Sequence, residues 1–314
     1  MRSIIRITVV GIVGMWSIVG ASLAGCSAAN TDASGDGGIG GDGGIGGDGA
    51  VSQGDGATGD GGGGGGDGST TTNGINSVIL VTGGGPRFSM TAAFRGMPAP
   101  VPAGCVTKTV GGCIATSCPA VDGILSSSLN AGAITVAGTG PDSPVTIRYT
   151  AMGDAGLMGY SARGNSQFFH GGDTITASGA GGPDVPAFAA QTVIAPNEIV
   201  VTSPACAAIK CPDIPRSHDA TIAWTGGGAG KVEITYITDT DDGSKTLSCS
   251  FDASAGSGTI PSAALMMLDP GTAPGFYGLA IVYPMSTKTI MVGTLPTLLA
   301  AQGGATEGSF TFTD

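Results

Sequence analysis

Between Ser77 and Asp314 apolar and polar positions alternate with a period of two. Val145, Ile147 and Tyr149 interleave with Thr146, Arg148 and Thr150, and Val232, Ile234 and Tyr236 interleave with Glu233 and Thr235. Successive side chains of a strand point to opposite faces, so this pattern predicts half-buried β-strands. Further runs of β-branched and aromatic residues predict strands at Val78–Val81, Phe88–Phe94, Ala133–Val136, Thr174–Ala177, Ile199–Thr202, Thr221–Trp224, Leu247–Phe251, Tyr277–Tyr283, Thr289–Val292 and Phe310–Thr313. One short helix is expected at Ser262–Leu268, opened by Pro261 and closed by Asp269 and Pro270. Many short strands separated by Gly, Pro and Asp predict an all-β antiparallel sandwich.

The cysteine spacing Cys113-x4-Cys118-Pro119 recurs as Cys206-x4-Cys211-Pro212, each followed by a matching pair of strands. The echo predicts two modules, tandem or interlocked, over 77–196 and 197–314, with a boundary near Pro196.

The N-terminal end reads differently. Arg2 and Arg6 precede an apolar run, Ile7 to Val19, too short for a comfortable membrane span, followed by small residues. The string Leu23-Ala24-Gly25-Cys26 resembles the lipobox of bacterial lipoproteins. That resemblance implies that residues 1–25 are a signal peptide, that Cys26 carries the lipid (diacylglycerol, and usually an N-acyl chain such as palmitate), and that the protein sits in the cell envelope. Ser27 and Ala28 are not acidic, which within that family leans toward the outer membrane. One fatty chain holds a protein only marginally, whereas two or more anchor it stably.

Residues 26–76 cannot build a core. Of the 40 residues from Gly35 to Gly74, 21 are glycine, many of the rest are aspartate, and none is basic or aromatic. A disordered tether is expected, with an r.m.s. reach on the order of 40 Å. Collagen needs proline, and a calcium-binding β-roll needs a regular large apolar residue; the segment supplies neither.

Charge and cysteines narrow the partners. The chain carries 12 Lys plus Arg against 23 Asp plus Glu, and removal of Arg2 and Arg6 with the leader leaves 10 basic residues, scattered along the body. Nucleic acid is excluded as an expected partner, because phosphate binding needs clustered cations. Six cysteines remain beyond Cys26, an even number that predicts disulfides in an exported chain. The expected pairs are Cys113–Cys118, Cys206–Cys211 and Cys105–Cys249. Zinc is not expected, since no Cys-x2-Cys knuckle or histidine cluster occurs. Trp224, thirteen residues after Cys211, resembles the core tryptophan of immunoglobulin domains, although Cys249 follows too early for that family's inter-sheet bridge. The resemblance implies an immunoglobulin-like sandwich and a core position for Trp224.

Candidate chemistry is sparse. His170 follows Phe168 and Phe169, and His218 stands between Ser217 and Asp219. Neighbouring side chains of an extended segment diverge, so a Ser217, His218, Asp219 relay is not expected. Gly226 to Lys231 departs from a phosphate loop at its first glycine and its terminal Ser or Thr, and reads as a hairpin; Asp239, Asp241 and Asp242 read as a turn. Tyr160, Phe276, Tyr277 and Tyr283 are the aromatics left for a sugar-stacking platform. The resulting expectation is a non-enzymatic protein with no cofactor and no metal, attached to a membrane by its lipid and binding a protein or glycan. An exported hydrolase of unrecognised type and a carbohydrate-binding surface protein are the alternatives.

Overall fold

The computed structural model describes residues 77–314 apart from 97–103, 120–126, 153–156, 207–209 and 274–275. The expected leader, Cys26 and tether lie outside the described residues. The strands are β1 (Ser77–Thr82), β2 (Phe88–Ala93), β3 (Val106–Val110), β4 (Cys113–Pro119), β5 (Ile134–Ala137), β6 (Val145–Ile147), β7 (Tyr149–Met152), β8 (Leu157–Gly164), β9 (Thr174–Gly179) and β10 (Phe188–Ile194). There follow β11 (Ile199–Ser203), β12 (Ile214–Pro215), β13 (Ala220–Gly226), β14 (Lys231–Thr240), β15 (Gly243–Asp252), β16 (Ser257–Ile260), β17 (Tyr277–Val292), β18 (Leu295–Gln302), β19 (Thr306–Ser309) and β20 (Phe312–Thr313). The expected helix is present but stops early, at Ser262–Leu265.

One 11-stranded sheet runs through the whole body in the order β3-β4-β15-β14-β17-β18-β1-β2-β8-β7, with β19 added beside β17. Smaller sheets cover it: β10-β9-β5-β6 at one end and β11-β13-β16 at the other. Each covering layer encloses a separate core. In the first, Ile79, Met90 and Tyr160 of the long sheet meet Ile134, Val136 and Ile175 of the four-stranded sheet. In the second, Val232, Ile234 and Leu247 meet Ile222, Trp224 and Ile260. The chain is thus an all-β protein of two two-layer sandwiches that share one sheet, the sandwich that the alternation predicts.

The two halves interlock. Hairpin β3–β4, from the expected first module, pairs with β15 of the second, from Cys113 opposite Cys249 to Pro119 opposite Gly243. In return, β18 pairs in parallel with β1, Ser77 opposite Thr297 through Thr82 opposite Gln302, and completes the first core with Leu299 and Ala301. A cut at 196 therefore leaves each half without strands that its own core requires. Nor do the echoing segments fold alike. Cys113 and Cys118 lie within one strand, whereas Cys206 and Cys211 close a loop; β5 and β6 pair as a hairpin, whereas β13 and β14 belong to different sheets. Gly226 to Lys231 is accordingly an inter-sheet corner, not the expected hairpin. Gly226, Gly227 and Gly230 take positive φ there, and a Cβ on Gly227 would meet the Ala253 carbonyl oxygen at 2.7 Å.

The expected strand at 145–150 breaks in two. Val145–Ile147 pairs with β5 and Tyr149–Met152 with β8, so the chain changes sheets at Arg148 while Ile147 and Tyr149 both face the first core.

Candidate functional site

The cystines bring distant segments together. Two expected pairings are corrected: Cys105 joins Cys118, and Cys113 joins Cys249. Five residues of extended strand span roughly 16 Å and turn the two side chains to opposite faces, so Cys113 and Cys118 of one strand cannot meet. The tight turn at Gly111 and Gly112 folds β3 back on β4, which carries Cys105 to Cys118 and leaves Cys113 directly opposite Cys249. Cys113 and Cys249 are 1% exposed, so this bridge stands in the second core. The third bridge links Cys206 to Cys211 across a sequence separation of 5.

The histidines are surface groups. The Asp173 carboxylate accepts the Thr139 hydroxyl and the His170 backbone N–H, the latter at 2.6 Å, and these bonds, the Thr139 one foremost, hold its pKa below the ordinary value. His170 Nδ1 lies 3.6 Å from the same carboxylate and the ring is exposed. Ser217 Oγ reaches His218 Nδ1 at 2.9 Å, yet Asp219 turns away to accept the Ser262 N–H at 2.7 Å. All three residues are exposed, and among the described residues the hydrogen bond to Ser217 is the one that the imidazole makes.

The aromatic platform does not assemble. Tyr160 is fully buried, and its hydroxyl oxygen accepts the Ala131 N–H at 2.6 Å. Tyr283 is buried, Phe276 packs against the second core, and Tyr277 alone is exposed. Trp224 lies in the second core, as expected, donating its indole N–H to the Ala253 carbonyl at 2.8 Å.

The most titratable environment is Glu233 on β14. Burial pushes its carboxyl up to about 7, against the pull of the Ser250 hydroxyl, which donates at 2.6 Å, and of Lys231, which pairs with Asp252 at 2.7 Å. Tyr283 lies near it, its phenol raised by burial first and by Glu233 second.

An open cleft of about 500 Å³ lies where residues 196–199 pass from the first sandwich to the second, lined by Gly84, Pro86, Gln167, Glu198, Ile199 and Thr306. Gln167 is committed to the Gly84 carbonyl at 3.0 Å, leaving Glu198 as the single charge. Among the described residues no group of three or more His, Cys, Asp or Glu is placed to hold a metal ion. Among the same residues no helix is long and apolar enough to cross a membrane.

No family model matches the chain, and no match was found among curated proteins. Solved structures similar to parts of it include the FN1–FN3 domains of chicken CNTN1, at 10% identity and a TM-score of 0.18, covering 72% of this chain and 77% of that one. Dpr11 IG1 bound to DIP-gamma IG+IG2 is similar at 7% identity and a TM-score of 0.15, covering 76% of this chain and 96% of that one. At these scores neither carries a functional inference.

Proposed function

We propose that the chain is a lipid-anchored protein of the bacterial cell envelope, leaning to the outer membrane, whose fused sandwich body serves binding or structural interaction and not catalysis. The observation that carries the reading is the use of the seven cysteines. Six pair with one another in the body, which suits an oxidising compartment outside the cytosol, and the seventh is Cys26 of the lipobox-like string. A glycine-rich tether then lets the body stand clear of the bilayer. With a net charge of −11 for the whole chain, the body has no attraction to anionic lipid, so acyl chains must supply the attachment. The partner contacted is a protein or a glycan. Interlocked strands give the body a rigid frame, and the exposed loops at its ends suit recognition.

The test is acylation and phase partition. In cells fed radiolabelled palmitate, the native chain is expected to take up label and enter the detergent phase, and the Cys26→Ala chain to do neither. Detergent partition of the Cys26→Ala chain would refute the anchoring reading.

A further inference from the structure

The second sandwich has an open flank. One layer ends there in β11, the outer strand of β11-β13-β16, and the other in β19, which lies beside β17. Ile199 of β11 and Thr306 of β19 both line the junction cleft. Val201 and Thr306 both line an apolar seam that continues the cleft between the layers, completed by Pro204, Ile214, Tyr236 and Val282.

The outer edge of β11 has no neighbouring strand. The Gly227 N–H donates to the Glu198 carbonyl at 3.0 Å, and along an antiparallel ladder residues that face the partner strand alternate with residues that face away. The N–H and C=O groups of Ile199 and Val201 therefore turn from β13 to the open side, where no strand stands among the described residues. Between them Val200 is 65% exposed in the whole chain, and Thr202 and Ser203 are exposed too. Edge strands are ordinarily guarded by a charge, a proline, brevity or a bulge. Thus β3 carries Lys108, β6 is 3 residues long, β16 runs into Pro261 and β10 bulges between Phe188 and Gln191. In β11 the bulge comes only beyond Val201, and Ile199–Val201 is regularly paired, uncharged and β-branched throughout.

We propose that this flank takes an extended peptide segment of a partner protein as an added strand beside β11, with a Lys or Arg of that segment in the junction cleft against Glu198. The inference rests on the reading of the body as a binding module and not on the lipid anchor. In strand addition main-chain hydrogen bonds supply affinity and pockets for alternate side chains supply specificity. Ile199 and Val201 offer the main-chain groups, two donors and two acceptors. The cleft selects for a cation: Glu198 is exposed and is its single charge, and the whole chain carries a net charge of −11. It also has room for a long side chain, since a Cβ added to Gly85 or Gly304 in its wall would meet nothing within 4 Å. The seam at the other end suits a small apolar residue. The β11 edge of a second copy fits less well, because residues 198–204 hold no Lys or Arg to face Glu198 and Pro204 follows the bulge.

The experiment pans a phage-displayed library of random short peptides against the full-length chain, then adds the enriched sequences back as synthetic peptides and follows amide hydrogen exchange. Enriched peptides are expected to carry Lys or Arg among β-branched residues and to slow exchange at Ile199 and Val201. Glu198→Lys, at an exposed position, is expected to weaken their binding about tenfold or more and to favour the same peptides with Glu in place of the cation. Val201→Pro removes an N–H that the fold does not use and is expected to weaken binding by about tenfold with the Cys113–Cys249 bridge intact. Peptides that protect other loops and bind the wild-type and Glu198→Lys chains alike overturn this site while the binding reading stands. A library that yields no enriched peptide overturns the site and, with it, the reading of a protein partner.

Discussion

Removing the Cys113–Cys249 bridge with the double substitution Cys113→Ala/Cys249→Ala tests the fold at its most constrained point. The bridge spans a sequence separation of 136, against 13 for Cys105–Cys118 and 5 for Cys206–Cys211. In the chain-entropy account a crosslink stabilises by restricting the unfolded chain, in proportion to the logarithm of the loop it closes. The three bridges then contribute about 5, about 3 and about 2 kcal/mol in that order. A pairing of Cys113 with Cys118 would instead close a loop as short as the Cys206–Cys211 one and contribute about 2 kcal/mol. The assay is equilibrium unfolding in guanidinium chloride of the oxidised wild type and of the three double variants. The expected order of loss is Cys113/Cys249 first, Cys105/Cys118 second and Cys206/Cys211 last. Equal losses for the first and last variants, or a peptide map linking Cys113 to Cys118, would refute both the pairing and the reasoning built on it.

Two further substitutions probe polar groups of the shared sheet. Tyr160→Phe leaves the Ala131 N–H without its acceptor in the first core and is expected to cost about 1–3 kcal/mol in urea unfolding; unchanged stability would show that this bond is not needed. Glu233 gives a pH signature. The folded chain holds its proton up to about 7 whereas the ordinary value is 4.5. Stability therefore falls as pH rises through that window, by at most about 3 kcal/mol, and the slope ends above it. Glu233→Gln is expected to flatten the fall in Tm between pH 5 and pH 8, and identical profiles for the two chains would count against a raised carboxyl at this half-buried position.

The alternation of Val232, Ile234 and Tyr236 was enough to identify a strand and its inward face, because one buried face imposes period two on the residues themselves. What alternation leaves open is which sheet a strand joins. Arg148 carries no mark of the change of sheets at its position, since Ile147 and Tyr149 face the same core on either side of it. Likewise, Tyr277–Tyr283 and Thr289–Val292 read as separate strands around Pro284, yet β17 runs through all of them. Pro284 is tolerated because it falls between the stretch paired with β19, which ends at Val282, and the stretch paired with β18, which begins at Met285. The Cys113–Cys249 pairing is hidden for the same reason: it depends on β4 lying beside β15, a contact between residues more than a hundred positions apart. Tyr160 looked like a surface aromatic because β8 carries only Tyr160 and Ala162 toward the core, too weak a pattern to announce a strand.

In the proposed function the amino terminus of the mature chain is a lipid-bearing Cys26. Intact-mass and tandem mass spectrometry of the protein purified from its own membranes tests this directly. An amino-terminal peptide that begins at Cys26 and carries the mass of its acyl chains is expected; a peptide that begins at Met1, or one that begins at Cys26 without lipid, would refute the anchoring.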